Sequence, residues 1–266
     1  MKRYRIEPGD KVDLSGFEAG DTGGRSKDDR TAKEFQSLND RLEELQERLW
    51  AVHGPSVLVV LQGLDTSGKD GTIRHVFEGV NPLGVRVAAF KAPSEMERDH
   101  DFLWRVHPHA PGRGEMVIFN RSHYEDVLVA RVRGMVPPEV WQARYRQIVD
   151  FERLLTETGT TILKFFLHID RDEQKQRLEA RLADPQKRWK FRLGDLEDRK
   201  LWDGYTRAYE EAIEKTSTAH APWYVVPANK KWYRNLVVAK VLVGALEKLD
   251  LAEPEPEEDL SGVVVE

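Results

Sequence analysis

A seven-residue apolar run that passes at once into a glycine-rich turn constrains this chain more than anything else in it. Ser56–Gln62 reads SVLVVLQ, apolar and β-branched with no alternation. Such a run hides both of its faces, as a strand inside a parallel sheet does. Directly after it, Gly63-Leu64-Asp65-Thr66-Ser67-Gly68-Lys69 fits the G-x-x-x-x-G-K pattern. Ile73, Val76, Phe77 and Val80 then mark one face of a helix. By composition alone such a heptapeptide turns up in roughly one chain in ten. Its place between strand and helix is what makes it informative. Backbone N–H groups of the loop and the helix N-terminus can cradle phosphate oxygens, and Lys69 supplies a point charge. The predicted phosphate cradle is Gly63, Thr66, Ser67, Gly68, Lys69, Asp70, Gly71 and Thr72.

The rest of the chain alternates in the same way. Strands are predicted at Val85–Phe90, Glu115–Phe119, Thr161–Ile169 and Trp223–Val226. Helices are predicted over 31–53, 95–106, 138–157, 171–183, 195–216 and 230–249. This order predicts an α/β three-layer sandwich around a five-stranded parallel sheet. Residues 1–54 read as an N-terminal arm and helix, and 55–249 as a P-loop domain. Residues 250–266 read as an acidic tail expected to be disordered. The stripe Phe35, Leu38, Leu42, Leu45 and Leu49 either docks on its own domain or zips to a partner subunit.

Two departures from the usual loop carry chemistry. The motif normally ends in Ser or Thr, whose hydroxyl helps hold Mg²⁺; here Asp70 and Gly71 follow Lys69. Asp65 stands inside the loop, where a carboxylate repels a polyanion unless a cation lies between them. At about 4 Å, two unit charges repel by about 4 kcal/mol at an effective dielectric of 20. Asp65 is therefore the predicted metal residue, for Mg²⁺ with Mn²⁺ as a substitute. The third strand ends in Asn120-Arg121, where an Asp is usual for the metal. Asn120 can accept a hydrogen bond or hold a metal-bound water, and Arg121 can neutralise a phosphoryl group in transfer. An ordinary structural ion pair is the competing reading for Arg121.

Charge is unevenly distributed. The chain carries 41 bases and 46 acids, and seven of the acids lie in 250–266, so the body holds 41 bases against 39 acids. This balance argues against a nucleic-acid coat. Within the body, Arg177, Arg181, Lys187, Arg188, Lys190 and Arg192 place six bases in sixteen residues. That position suits a mobile helical lid at about 171–200 which closes over phosphates. Six bases exceed what a triphosphate needs and suggest a longer anion. There is no Cys, which excludes a disulfide scaffold and a thiol nucleophile. No stretch is long and apolar enough to span a bilayer, and the start lacks an apolar core. A cytoplasmic protein without membrane contact is expected.

The segments GLDTSGKDGT, VNPLGVRVAAFKAPSEMERDHDFLWRVHPHAPGRGEMVIFNRSHYEDVLVARV, RLADPQKRWKF and APWYVVPANKKWYRNL resemble, in this order, the type-2 polyphosphate kinase family. The resemblance covers about residues 30–249. It implies a fold similar to thymidylate kinase with a helical lid, and Mg²⁺-dependent transfer of phosphoryl groups between inorganic polyphosphate and nucleotides. A homodimer or homotetramer is expected. Asp65 and Lys69 match the family's loop acid and lysine, Asn120 and Arg121 its strand-end Asp-Arg pair, and Arg181 its lid arginine. Asn in place of Asp at 120 departs from the commonest pattern. With Arg-Ser-His-Tyr-Glu at 121–125, it looks like the branch that phosphorylates both mono- and diphosphates, AMP to ADP to ATP.

The predicted catalytic set is thus Asp65, Lys69, Asn120, Arg121 and Arg181. Arg177, Lys187, Arg188, Lys190 and Arg192 are expected on phosphate. Lys91, Arg105, Glu125 and Asp126 are candidates for the acceptor nucleotide. His123 offers a proton donor, but a strand-end histidine is more often structural. An ATP-dependent nucleoside or nucleotide kinase of the same fold is the alternative, and a P-loop regulatory module that turns nothing over is the third reading.

Overall fold

The computed structural model describes residues 1–252 and, beyond them, only 258, 261 and 263. The expectation for the acidic tail therefore lies mostly outside the described residues. In chain order the elements are β1 (Arg5–Ile6), α1 (Asp29–Val52), β2 (Ser56–Gln62), α2 (Lys69–Val76), β3 (Val85–Ala89) and α3 (Glu95–Arg98). Next come β4 (Met116–Asn120), α4 (Glu125–Val132), α5 (Pro138–Glu157), β5 (Thr160–His168), α6 (Arg171–Ala183) and α7 (Leu193–Lys200). Last are α8 (Trp202–Thr216), β6 (Trp223–Pro227) and α9 (Lys231–Leu246).

The sheet runs β1-β6-β5-β2-β4-β3. The five predicted strands are all present and parallel. The sheet has a sixth, β1, which pairs antiparallel with β6 through Arg5↔Tyr224 and Ile6↔Trp223. This strand sews the N-terminal arm to the parallel sheet, so the segment 1–54 shares the sheet of the rest. β2 lies between β5 and β4, and its five apolar residues Val57–Leu61 are at most 1% exposed. Each contributes roughly 1.5–3 kcal/mol by burial, so the strand that launches the phosphate loop is firmly fixed.

Alternate β2 side chains enter two separate cores, which is the three-layer arrangement. Leu58 and Val60 join Val127, Ile148, Phe151, Tyr205 and Ala212 on the α4, α5 and α8 side. Val57, Val59 and Leu61 join Leu42, Leu45, Leu49, Val76 and Leu242 on the α1, α2 and α9 side. The α1 stripe, ambiguous in sequence, packs within its own domain.

Two predicted helices are corrected. The helix expected over 95–106 stops after Arg98. A capping box between Ser94 and Glu97 starts it. The Asp101 carboxylate then accepts from the N–H groups of Leu103 and Trp104, at 2.9 and 3.1 Å. That local bond offers the backbone an alternative to helix. The helix expected over 195–216 is two helices, α7 and α8, meeting at Leu201. α8 buries Tyr205, Ala208, Tyr209, Ala212 and Ile213, whereas α7 buries only Asp195. α4 had no counterpart in the sequence reading.

Candidate active site

A cleft of about 1350 Å³ opens at the C-terminal ends of the parallel strands, between the phosphate loop, the β4–α4 turn and the α6–α7 segment. Ligands favour this end of an open α/β sheet. The β2–β4 register, Leu61↔Asn120, sets Asn120 and Arg121 beside the loop. The Arg121 N–H closes the junction by donating to the Leu61 carbonyl at 3.1 Å.

The loop backbone is unusual where it must be. Gly63 has φ 149°, and a Cβ there would lie 2.8 Å from the Leu167 carbonyl oxygen. Gly68 has φ 107°, and a Cβ there would collide with the Arg234 guanidinium. Thr66 and Arg121 adopt left-handed φ values of 66° and 62° without being glycine. Strain of this kind costs of order 1–3 kcal/mol and persists only where surrounding contacts enforce it. The hydroxyls of Thr66 and Ser67 are buried with no partner among the described residues. Thr72, by contrast, donates its hydroxyl to the Gly68 carbonyl at 3.1 Å.

Lys69 is 7% exposed and curls back over its own loop, donating to the carbonyls of Gly63 at 2.6 Å and Leu64 at 3.3 Å. No carboxylate pairs directly with it among the described residues. Burial, then the charge of Arg121, pushes its ammonium down to about 8, with Asp65 and Glu125 pulling the other way. An ammonium desolvated and held this way gains most from a newly arrived anion.

Arg121 lies between two carboxylates, Asp65 at 2.6 Å and Glu125 at 3.1 Å. Both raise its guanidinium further. Asp195, from α7, also belongs to this group: burial and then the charge of Asp65 push its carboxyl up. Asn120 donates to the Asp70 carboxylate at 2.9 Å, and Lys190 stands 3.6 Å from the other Asp70 oxygen. Burial alone would raise Asp70, but those two neighbours and Lys69 hold it below the usual carboxylate range.

Asp65, Asp70 and Asn120 all line the cleft. Two carboxylates and an amide oxygen are hard donors of the kind Mg²⁺ and Mn²⁺ take. Among the described residues no cluster of three His, Cys, Asp or Glu side chains is preassembled for a metal. A cation here would share its shell with phosphate oxygens and water, as Mg²⁺ commonly does.

The α6–α7 segment, expected to form a lid, divides into a buried base and an exposed tip. At the base, Gln174 donates to the Asp65 carbonyl at 3.2 Å. Arg177 donates to the carbonyls of Thr66, Ser67, Ala228 and Asn229 at 2.6–3.0 Å, and its Nε to Glu173 at 2.8 Å. Its guanidinium thus clamps the loop to the β6–α9 connection, a different contact from the one expected of it. Arg181 pairs with Asp195 at 3.4 Å. Lys187 pairs with Asp184 at 2.6 Å, and Lys187, Lys190 and Arg192 line the cleft. Arg188 is exposed, donates its Nε to the Leu182 carbonyl, and is not part of the cleft wall.

On the opposite side, Lys91, Arg105, Glu125 and Asp126 line the cleft together. Arg105 donates to the Lys91 carbonyl at 2.8 Å and lies over the Phe90 ring. Arg144 holds Asp126 at 3.3 Å, while burial pushes that carboxyl up. Arg133 bridges α4 to Asp198 of α7 at 2.7 Å. His123 is 1% exposed and faces Glu152 at 3.2 Å in the core, a structural setting.

Sequence reasoning missed Arg133, Asp195, Lys231 and Arg234. Arg234 had one visible signal: a guanidinium in a helix whose residues 233–239 are otherwise free of charge.

The polyphosphate kinase 2 family model matches residues 25–254. The chain belongs to the polyphosphate kinase 2 family. An AMP/ADP-polyphosphate phosphotransferase of Meiothermus ruber is 58% identical over 100% of both chains. An ADP-polyphosphate phosphotransferase of Rhodopseudomonas palustris is 41% identical over 96% of this chain and 92% of that protein. The crystal structure of polyphosphate kinase 2 from Arthrobacter aurescens superposes with a TM-score of 0.92 at 44% identity, covering 98% of this chain and 93% of that one. The mostly parallel sheet and phosphate loop described above are those of the polyphosphate kinase 2 fold.

Proposed function

We propose that this chain is a polyphosphate:nucleotide phosphotransferase that uses both AMP and ADP as acceptors. The observation that carries the reading is a single cleft. On it converge the phosphate loop with buried Lys69, Arg121 at the strand end, and a basic lid. The 58% identity to a protein named for AMP and ADP supports the acceptor range.

Phosphoryl transfer needs in-line placement and charge neutralisation more than a strong base. The acceptor is itself a phosphate, so no proton need be removed by a histidine. The loop N–H groups and Lys69 hold donor phosphates, and Arg121 lies between donor and acceptor. Asp65 and Asp70, with the Asn120 amide, would hold Mg²⁺. The metal supplies neutralisation of phosphate charge. Arg121 pairs with Asp65 at the loop, which holds its guanidinium where it can neutralise the phosphoryl group in transfer. Arg181, freed from Asp195, approaches the transferring group as the lid closes. Lys187, Lys190 and Arg192 follow the rest of the chain. Lys91 and Arg105 receive the acceptor nucleotide.

The test is incubation with AMP, Mg²⁺ and polyphosphate in the absence of ATP. ADP and then ATP are expected, and Lys69→Ala and Asp65→Asn are each expected to lower turnover by ~10²-fold, the scale of one electrostatic stabiliser. Product formation that requires ATP as donor would instead support an ordinary nucleotide kinase.

A further inference from the structure

Arg234, in the first turn of α9, is 2% exposed, yet among the described residues no carboxylate pairs with it. Its Nε and Nη2 share the Asn235 amide oxygen, at 3.1 and 2.8 Å, and its Nη1 reaches the Ser67 carbonyl at 3.4 Å. The guanidinium occupies the space a side chain at residue 68 would fill and lines the cleft. It therefore lies against the N-terminus of α2, itself the positive end of a helix.

Positive charge accumulates around it. Burial, then the charge of Arg177, pushes the Arg234 guanidinium well below its ordinary range. Lys231, one turn earlier, is pushed down by burial and by Arg177, Arg234 and lid residue Lys187. The carboxylate in this group, Glu173, is engaged by Arg177. A buried charge without a counterion is strongly unfavourable. A fold that keeps one against a phosphate-binding loop has a use for it.

We propose that Arg234 is the buried counter-charge for the donor polyphosphate held in the loop. The chain then passes α9 beneath the lid, on the side of Lys187 and Lys231, away from Lys91 and Arg105. This rests on the assignment of polyphosphate as the donor. Arg234 acts through charge on the anion and through its packing on Gly68, and the chemistry at the transferring phosphorus stays with Lys69 and Arg121.

The experiment measures tripolyphosphate binding without nucleotide, for wild type, Arg234→Met and Arg234→Lys. Methionine should weaken Kd at least tenfold and leave KM for AMP unchanged. Lysine, which can regain the charge when the anion arrives, should recover most of the affinity that methionine loses. In the absence of anion, Arg234→Met should melt at or above the wild-type temperature, because an uncompensated charge has gone. An unchanged Kd in Arg234→Met overturns the proposal, whatever happens to the melting temperature. Should that variant not fold, the wild-type Arg234 Nε–H resonance decides. A shift on adding tripolyphosphate supports the role and an unmoved signal overturns it. Wild type that ignores tripolyphosphate would overturn the donor assignment as well. Equal binding by wild type and Arg234→Met would overturn the role of Arg234 alone.

Discussion

Lys164 and Arg234 are buried almost equally, 0% and 2% exposed, and they are opposites in every other respect. Lys164 projects from β5 into the core with all three of its donors satisfied. Glu152 is at 2.5 Å, the Thr216 carbonyl at 2.8 Å and the Tyr124 hydroxyl at 2.9 Å. Glu152 in turn accepts from Tyr124 at 2.9 Å and meets His123 at 3.2 Å. This network finishes its own electrostatics within the chain. Arg234 and Lys69, at the loop, leave theirs open. The contrast separates cations that help build the protein from cations that the protein holds for something else.

The first way to break this contrast is to remove one partner of the closed network. Glu152→Leu or Lys164→Met alone should destabilise by about 3–5 kcal/mol, because each leaves a buried charge unpaired. Against a typical total of about 5–15 kcal/mol, that is a large loss. The double variant Lys164→Met/Glu152→Leu should recover about half of it or more, since both charges leave together. Urea denaturation of the singles and the double reads this directly. Singles as stable as wild type would mean that the network contributes nothing to the fold.

The α6–α7 segment sharpens the comparison, because the cations at its tip, Lys187, Arg188, Lys190 and Arg192, are exposed. Arg181→Ala should lower kcat, since its contact strengthens in the transition state. Neutralising Lys187 and Lys190 together should raise KM for polyphosphate severalfold and leave kcat nearly intact. The effect should be larger for long chains than short ones. It should shrink with added salt, because exposed charges are screened beyond about 8–10 Å at physiological ionic strength. Steady-state kinetics with two chain lengths at two salt concentrations give the answer. Equal losses at every chain length would show that these lysines do not follow the donor.

Legibility in the sequence followed the range of the interactions. The β2–loop–α2 unit was readable because its signal lies within about twenty consecutive residues, Ser56 to Val76. The α6–α7 segment stood out as a local surplus of bases, although its individual contacts did not. Arg177 shows the limit: one helical turn from Arg181, it is engaged by four carbonyls from the loop and from the β6–α9 connection. No local pattern announces a bond that spans 110 residues. β1 escaped notice for the same reason, since a two-residue strand is defined only by its partner at 223–224. The over-long helix at 95–106 failed at Asp101, where a side chain outbid the helix for backbone N–H groups.

Proton linkage on polyphosphate binding tests most directly the claim that the loop's open charge awaits an anion. In the free protein Lys69 is pushed down to about 8, so above that pH its amine is largely neutral. A polyanion in the loop favours the charged form and raises the pKa, so binding takes up a proton. Calorimetry in buffers of different ionisation enthalpy should find uptake of about one proton at pH 9 and about a tenth of one at pH 7. Lys69→Met serves as the reference that subtracts protons carried by the ligand itself. Affinity should fall as pH rises through 8. The same uptake in wild type and Lys69→Met, or none at pH 9, would contradict the account.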